Sequence, residues 1–168
     1  MQKKAQEARL SDLRQLWLNS LRDDGFSLDE GHYARSSGGQ VAYILIQPQA
    51  SSRLTILFHG TGNDLLFTWQ PLINALLGSG RGVLCFDLDG HGMTSSTTLV
   101  RHDFWQSAVD LGRFLHVKKL DADPYELVGY SLGAMLILHS VFSETLKPDK
   151  IVLLAVPLRI RLTPHFVW

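Results

Sequence analysis

The stretch Tyr125-Glu126-Leu127-Val128-Gly129-Tyr130-Ser131-Leu132-Gly133 decides how the rest of the chain reads. Tyr125 to Val128 is short, apolar and suited to a buried strand. Leu132 to Val141 is apolar nearly all round, which predicts a buried helix. Between them stands Gly-x-Ser-x-Gly, in the strand-to-helix context that this motif requires. A strand that reverses into a helix within one or two residues crowds the backbone around the serine. Glycines two places before and two after remove the side chains that would collide. Ser131 is then held on a tight turn with its hydroxyl exposed, and the helix N-terminus behind it supplies oriented N–H groups.

Outward from this stretch the pattern alternates. Leu54 to Phe58 predicts a strand and Thr68 the cap of a helix reaching about Leu77, with Pro71 in its first turn, where a missing N–H does little harm. Val83 to Phe86 predicts the next strand. Asp103 caps a helix whose Phe104, Ala108, Leu111 and Leu115 share a face. Ile151 to Val156 is the last predicted strand. This alternation implies an α/β fold, a mostly parallel sheet with helices on both faces. Upstream, Phe26 to Ala34 and Val41 to Ile46 flank Ser36-Ser37-Gly38-Gly39 and predict an antiparallel hairpin at one edge. Residues 1–24 read as an N-terminal helix stopped by Gly25, with Leu10, Leu13, Trp17 and Leu21 on one face, docked on the sheet or on a partner. Residues 25–168 read as the main domain.

In such sheets the functional residues stand beyond the carboxyl ends of the strands. After Phe58 comes His59-Gly60-Thr61-Gly62. Acyl transfer needs donors aimed at a developing oxyanion. The N–H of Leu132 is one candidate and the N–H of Thr61 the other, with Gly60 and Gly62 letting the backbone come close. His59 reads as a brace for this loop rather than as a base. After Phe86 comes Asp87-Leu88-Asp89-Gly90-His91-Gly92. Its three polar side chains invite a metal reading, but two glycines favour a turn and no further ligands accompany them, so no metal is expected. Leu66, Phe67 and Trp69 fit either the core or an apolar acyl pocket.

Together these residues resemble the α/β-hydrolase superfamily. His59-Gly60-Thr61-Gly62 is similar to its oxyanion loop, Asp87 to Gly92 to its D-x-x-G-H-G structural turn, and Gly129 to Gly133 to its nucleophile elbow. Asp89 is a mild departure, since relatives often carry a basic residue or proline there. The resemblance covers about Phe26 to Pro157. It implies a serine hydrolase acting on an ester, thioester, amide or related bond of a small-molecule acyl substrate, without metal or organic cofactor. An acyltransferase or thioesterase on the same fold is equally compatible, because only the acceptor differs.

The mechanism also needs a base for Ser131 and a carboxylate to orient that base. In the family these follow the serine, acid first. After Ser131 the histidines are His139 and His165 and the acids Glu144 and Asp149. Eight residues into the helix, His139 stands about 12 Å along it. Glu144 and Asp149 fall at the amino end of the sheet. His165 lacks an acid that can reach it. The expectation is an N-terminal fragment lacking its C-terminal strands and its triad acid and histidine, with little turnover alone. A partner chain supplying the missing part, or a non-catalytic binding module, are the readings that follow.

Composition narrows the remaining classes. The chain has 168 residues and a formal net charge of +0, which gives no basic face for nucleic acid. No window approaches the roughly 20 apolar residues of a membrane span. The start is polar, without a secretory h-region, so a cytoplasmic protein is expected. The single cysteine, Cys85, reads as a core residue. No strand leads into a phosphate-binding or dinucleotide-binding glycine loop.

Overall fold

The computed structural model describes residues 2–50, 53–94 and 103–157, and side chains from residue 12 onward. The elements in chain order are α1 (Gln2–Asp23), β1 (Ser27–Ala34), β2 (Gln40–Gln47), β3 (Leu54–Phe58), α2 (Gln70–Gly78), β4 (Gly82–Phe86), α3 (Phe104–Val117), β5 (Tyr125–Tyr130), α4 (Leu132–Phe142) and β6 (Lys150–Leu154). The six strands form one sheet in the order β1-β2-β4-β3-β5-β6. The β1–β2 and β2–β4 pairings are antiparallel, and β4–β3, β3–β5 and β5–β6 are parallel. The alternation expected from the sequence is therefore present, with the hairpin at one edge.

Each central strand feeds both faces of the sheet. Ile56, Phe58, Leu84, Phe86 and Leu127 join a core with Leu111, Phe114 and Leu115 of α3 and Leu136 and Ile137 of α4. Leu57, Val83, Cys85 and Val128, one residue out of phase, join a second core with Leu18 and Leu21 of α1 and Ile73 and Leu77 of α2. Burial on both faces is why these strands read as continuous apolar runs rather than as alternating ones. The Cys85 thiol is fully buried and pushed well above its ordinary value by desolvation, which removes it from thiolate chemistry.

Three details differ from the sequence reading. In α1 the inward stripe is Leu18 and Leu21 with Trp17 beside it, whereas Leu13 is 49% exposed. A helix resting on a twisted sheet buries one short stripe, not every apolar position. Helix α2 starts at Gln70 with Trp69, not Thr68, at the cap position. The chain is organised earlier, where the Asp64 carboxylate accepts the Leu66 and Phe67 N–H groups at 3.0 and 2.7 Å. Helix α4 is not buried all round. It packs on β3, β5 and α3 through Gly133, Ala134, Leu136 and Ile137, leaving His139 exposed and Phe142 84% exposed. Among the described residues β6 pairs with β5 alone, and its Ile151 and Leu154 remain partly exposed. Among the described residues no helix is long and apolar enough to cross a membrane.

Leu18 is fully buried and fastens α1 to the second core. Leu18→Ala should cost about 2–5 kcal/mol in urea unfolding. Leu13→Ala, on the exposed side, should stay within about 0.5 kcal/mol of the parent.

Candidate active site

The carboxyl ends of β3, β4 and β5 meet at one edge. At the end of β5 the reversal into α4 is carried by Ser131, whose φ of 52° and ψ of −109° lie outside the regions that L-residues favour. The glycines on either side are required by contact. A Cβ on Gly129 would fall 2.7 Å from the Ala134 nitrogen and 2.7 Å from Ile137 Cδ1. A Cβ on Gly133 would fall 2.3 Å from the Phe58 carbonyl oxygen. The helix thus starts directly against the end of β3, and only hydrogen fits between them.

Two backbone bonds fix the turn. Ser131 N–H donates to the Leu154 carbonyl of β6 at 2.9 Å, and Gly133 N–H donates to the His59 carbonyl at 3.1 Å. Leu132 lies between these two. As the first residue of α4 its N–H has no acceptor in a preceding helical turn. The oxyanion-loop candidate closes over the same spot, since a Cβ on Gly60 would lie 3.2 Å from Ser131 Cβ and 2.7 Å from Tyr130 Cδ1. Thr61 follows, exposed, and the loop is tightened by Asn63 N–H donating to the Gly60 carbonyl at 3.3 Å. Gly62 takes a φ of 78° in this turn.

His59 is fully buried. Its Nδ1 lies 2.8 Å from the Gly60 carbonyl, and its Nε2 accepts the Leu88 N–H at 2.9 Å. These partners require the neutral ring with the proton on Nδ1. Burial lowers its pKa from the ordinary histidine value, with the Gly60 carbonyl opposing and His91 adding to the fall. The Asp87 carboxylate, 3.9 Å from Nε2, therefore faces a neutral ring. With both nitrogens committed, His59 braces two loops and has no lone pair to offer Ser131.

Asp87 is the second buried knot. Its two oxygens accept the Leu65 and Met93 N–H groups, each at 2.7 Å. Burial raises its pKa, and these two N–H groups pull the other way. A Cβ on Gly92 would collide with this carboxylate, which explains the second glycine of the G-H-G turn. Thr94 adds a third tie, donating to the Asp87 carbonyl at 2.8 Å and accepting the Ala42 N–H at 2.9 Å. Among the described residues no group of three or more His, Cys, Asp or Glu side chains is arranged to hold a metal ion. Asp89, the departure from the family pattern, forms an ion pair with Arg35 at the start of the hairpin turn. Nothing in the sequence spacing of these two residues signals that pairing. Leu66 and Trp69 are core, while Phe67 is 43% exposed.

His139, Glu144 and Asp149 stand away from Ser131. His139 is exposed on α4, its ring 6.3 Å from that of Phe104. Asp149 N–H donates to the carbonyl of Tyr125, the first residue of β5, which fixes Asp149 at the amino edge. Glu144 follows α4 on the same side. Six residues of strand put that edge about 20 Å from Ser131. His165 lies outside the described residues.

Two outcomes follow from this geometry. Gly133→Ala should cost about 3 kcal/mol or more in chemical unfolding, because its Cβ meets backbone. Gly78→Ala, with nothing within 4 Å, should be neutral or stabilising. The second outcome concerns pH. The unfolded chain protonates His59 near pH 6.5, about its ordinary value, whereas the folded chain resists protonation. The neutral ring's contribution is therefore complete above that pH and is lost as pH falls toward the lowered folded value. Asp87, raised by burial, acts in the opposite sense, so the comparison is made against His59→Gln, which keeps Asp87. The gap in melting temperature between the parent and His59→Gln should narrow as pH is lowered from about 7 to 5.

Comparison with known proteins agrees with this architecture. A profile of the alpha/beta hydrolase fold matches residues 55–168. No curated protein sequence matches. Among solved structures, an esterase from Exiguobacterium antarcticum superposes with a TM-score of 0.65 at 15% identity, covering 83% of this chain and 50% of that one. The thioesterase domain from the curacin biosynthetic pathway gives 0.65 at 23% identity, with 83% and 50% coverage. An epoxide hydrolase gives 0.63 at 15% identity, with 83% and 48% coverage. The chain spans about half the length of these structures, and at these identities they speak for the fold alone. The profile match takes in well over half of the chain and runs through both the strand ends and the serine turn, so this protein belongs to the alpha/beta hydrolase fold family.

Proposed function

We propose that this chain is the N-terminal part of a serine hydrolase that cleaves an ester, thioester or related acyl bond through an acyl-enzyme on Ser131. The observation that carries the reading is the backbone of Ser131, held at φ 52° between two glycines that contact leaves no alternative to. A serine kept in that conformation is aimed by the fold rather than left on a turn. In the proposed step Ser131 Oγ attacks the acyl carbon and gives its proton to a base. The Leu132 and Thr61 N–H groups stabilise the oxyanion. The bond to the leaving group then breaks, the leaving group takes the proton, and water releases the acid in a second round. The base and its orienting carboxylate come from a C-terminal portion, on the same chain or on a partner chain. Transfer to another alcohol or amine would use the same first half.

A second reading, a non-catalytic module that binds an acyl ligand, is favoured by one observation. His139, Glu144 and Asp149 all stand away from Ser131.

A fluorophosphonate probe followed by intact mass and peptide mapping separates the two. A single adduct on Ser131, absent from Ser131→Ala, is the expected result. Without its base the 168-residue chain should react more slowly than a complete triad, by roughly 10²–10⁴-fold. A folded chain that never acquires the adduct would favour the binding module.

A further inference from the structure

A groove of about 190 Å³ lies between α1 and the loop that follows Gly62, lined by Leu13, Arg14, Trp17, Leu66, Phe67 and Gln70. An apolar cavity of about 150 Å³ is enough to take benzene. Leu13 and Phe67 are 49% and 43% exposed, so two of its walls are large apolar side chains turned partly to solvent, with buried Leu66 beside them. Its charged member is Arg14. Arg14 Nη1 donates to the Met93 thioether at 3.1 Å, a weak acceptor. Its Nη2 lies 3.8 Å from Glu30, whose carboxylate Arg22 already holds at 2.6 Å. A guanidinium with such partners is poorly matched, since its fork fits a planar carboxylate through two parallel bonds.

The groove adjoins the candidate active edge. Met93, which touches Arg14, donates its N–H to Asp87, and Leu66 follows the Leu65 N–H that donates to the same carboxylate. Arg14 is also close enough to oppose the rise in the Asp87 pKa.

We infer that this groove binds an amphiphilic carboxylate, its alkyl or aryl body against Leu13, Trp17, Leu66 and Phe67 and its carboxylate on Arg14. Binding itself does not need Ser131 to react. Helix α1 is then a wall of the ligand site and not only a support for the sheet.

Titration of the 168-residue chain with octanoate, followed by calorimetry and by amide chemical shifts, tests the assignment. Saturable binding is expected, with shifts centred on residues 13–17, 66, 67 and 93. Arg14→Gln should weaken it about tenfold. Leu13→Asp, an exposed change that leaves the core alone, should weaken octanoate and not octylammonium. Ser131→Ala should leave binding unchanged, which separates this result from that of the fluorophosphonate experiment. No saturable binding at about 10 mM, equal affinity for octanoate and octylammonium, or an unaltered affinity in folded Arg14→Gln and Leu13→Asp would overturn the inference.

Discussion

The approach of α4 to the end of β3 is the constraint on which the rest of this edge depends. The helix begins so close to the Phe58 carbonyl that residue 133 can carry no side chain. That closeness lets the Gly133 N–H reach the His59 carbonyl, which ties the serine turn to the neighbouring loop. It also forces the reversal to be completed at Ser131, the one non-glycine residue between Gly129 and Gly133 with a positive φ. Strain of this kind, of order 1–3 kcal/mol, persists only where the surroundings over-determine the backbone. Here three strands do so, since the turn is bonded at once to the ends of β3 and β6 and continues β5.

Around that turn the buried polar groups act as fasteners. His59 and Asp87 each satisfy backbone N–H groups of a loop other than their own. Their carbonyls add further bonds to α4 and to Thr94. Buried groups of this sort would be costly if left unpaired, and paired they hold loops that have few apolar contacts of their own. Arg35 and Asp89 extend the same device to the hairpin. The loops at this edge are therefore fixed to one another as well as to the sheet.

Much of this was legible in the sequence, for identifiable reasons. The central strands show as apolar runs because both faces are covered. The serine turn shows because two glycines at fixed spacing leave a local signature. Asp103 caps α3 as expected, accepting the Gln106 N–H at 2.9 Å. What was not legible depends on partners distant in the chain. The periodicity of α1 gives its apolar positions but not which of them the twisted sheet covers, and Leu13, on the apolar face, lies outward. The composition of α4 gives its apolarity but not which of its sides packs on β3, β5 and α3. The start of α2 was displaced because the Asp64 turn, and not the threonine, sets where the helix begins. Arg35 and Asp89 pair across 54 positions of chain, and no local pattern encodes the pairing.

The bond from Ser131 N–H to the Leu154 carbonyl has a temporal side. The residue that needs support precedes in the chain the strand that supplies it. As a polypeptide leaves the ribosome, β5 and α4 emerge before β6, and folding proceeds from the N-terminal side as segments become available. Until residues near 154 have emerged and paired with β5, the turn lacks one of its two backbone anchors. Ser131 therefore reaches its final conformation only after β6 has followed it out, and a nascent chain carries the serine before it carries the strand that anchors its turn.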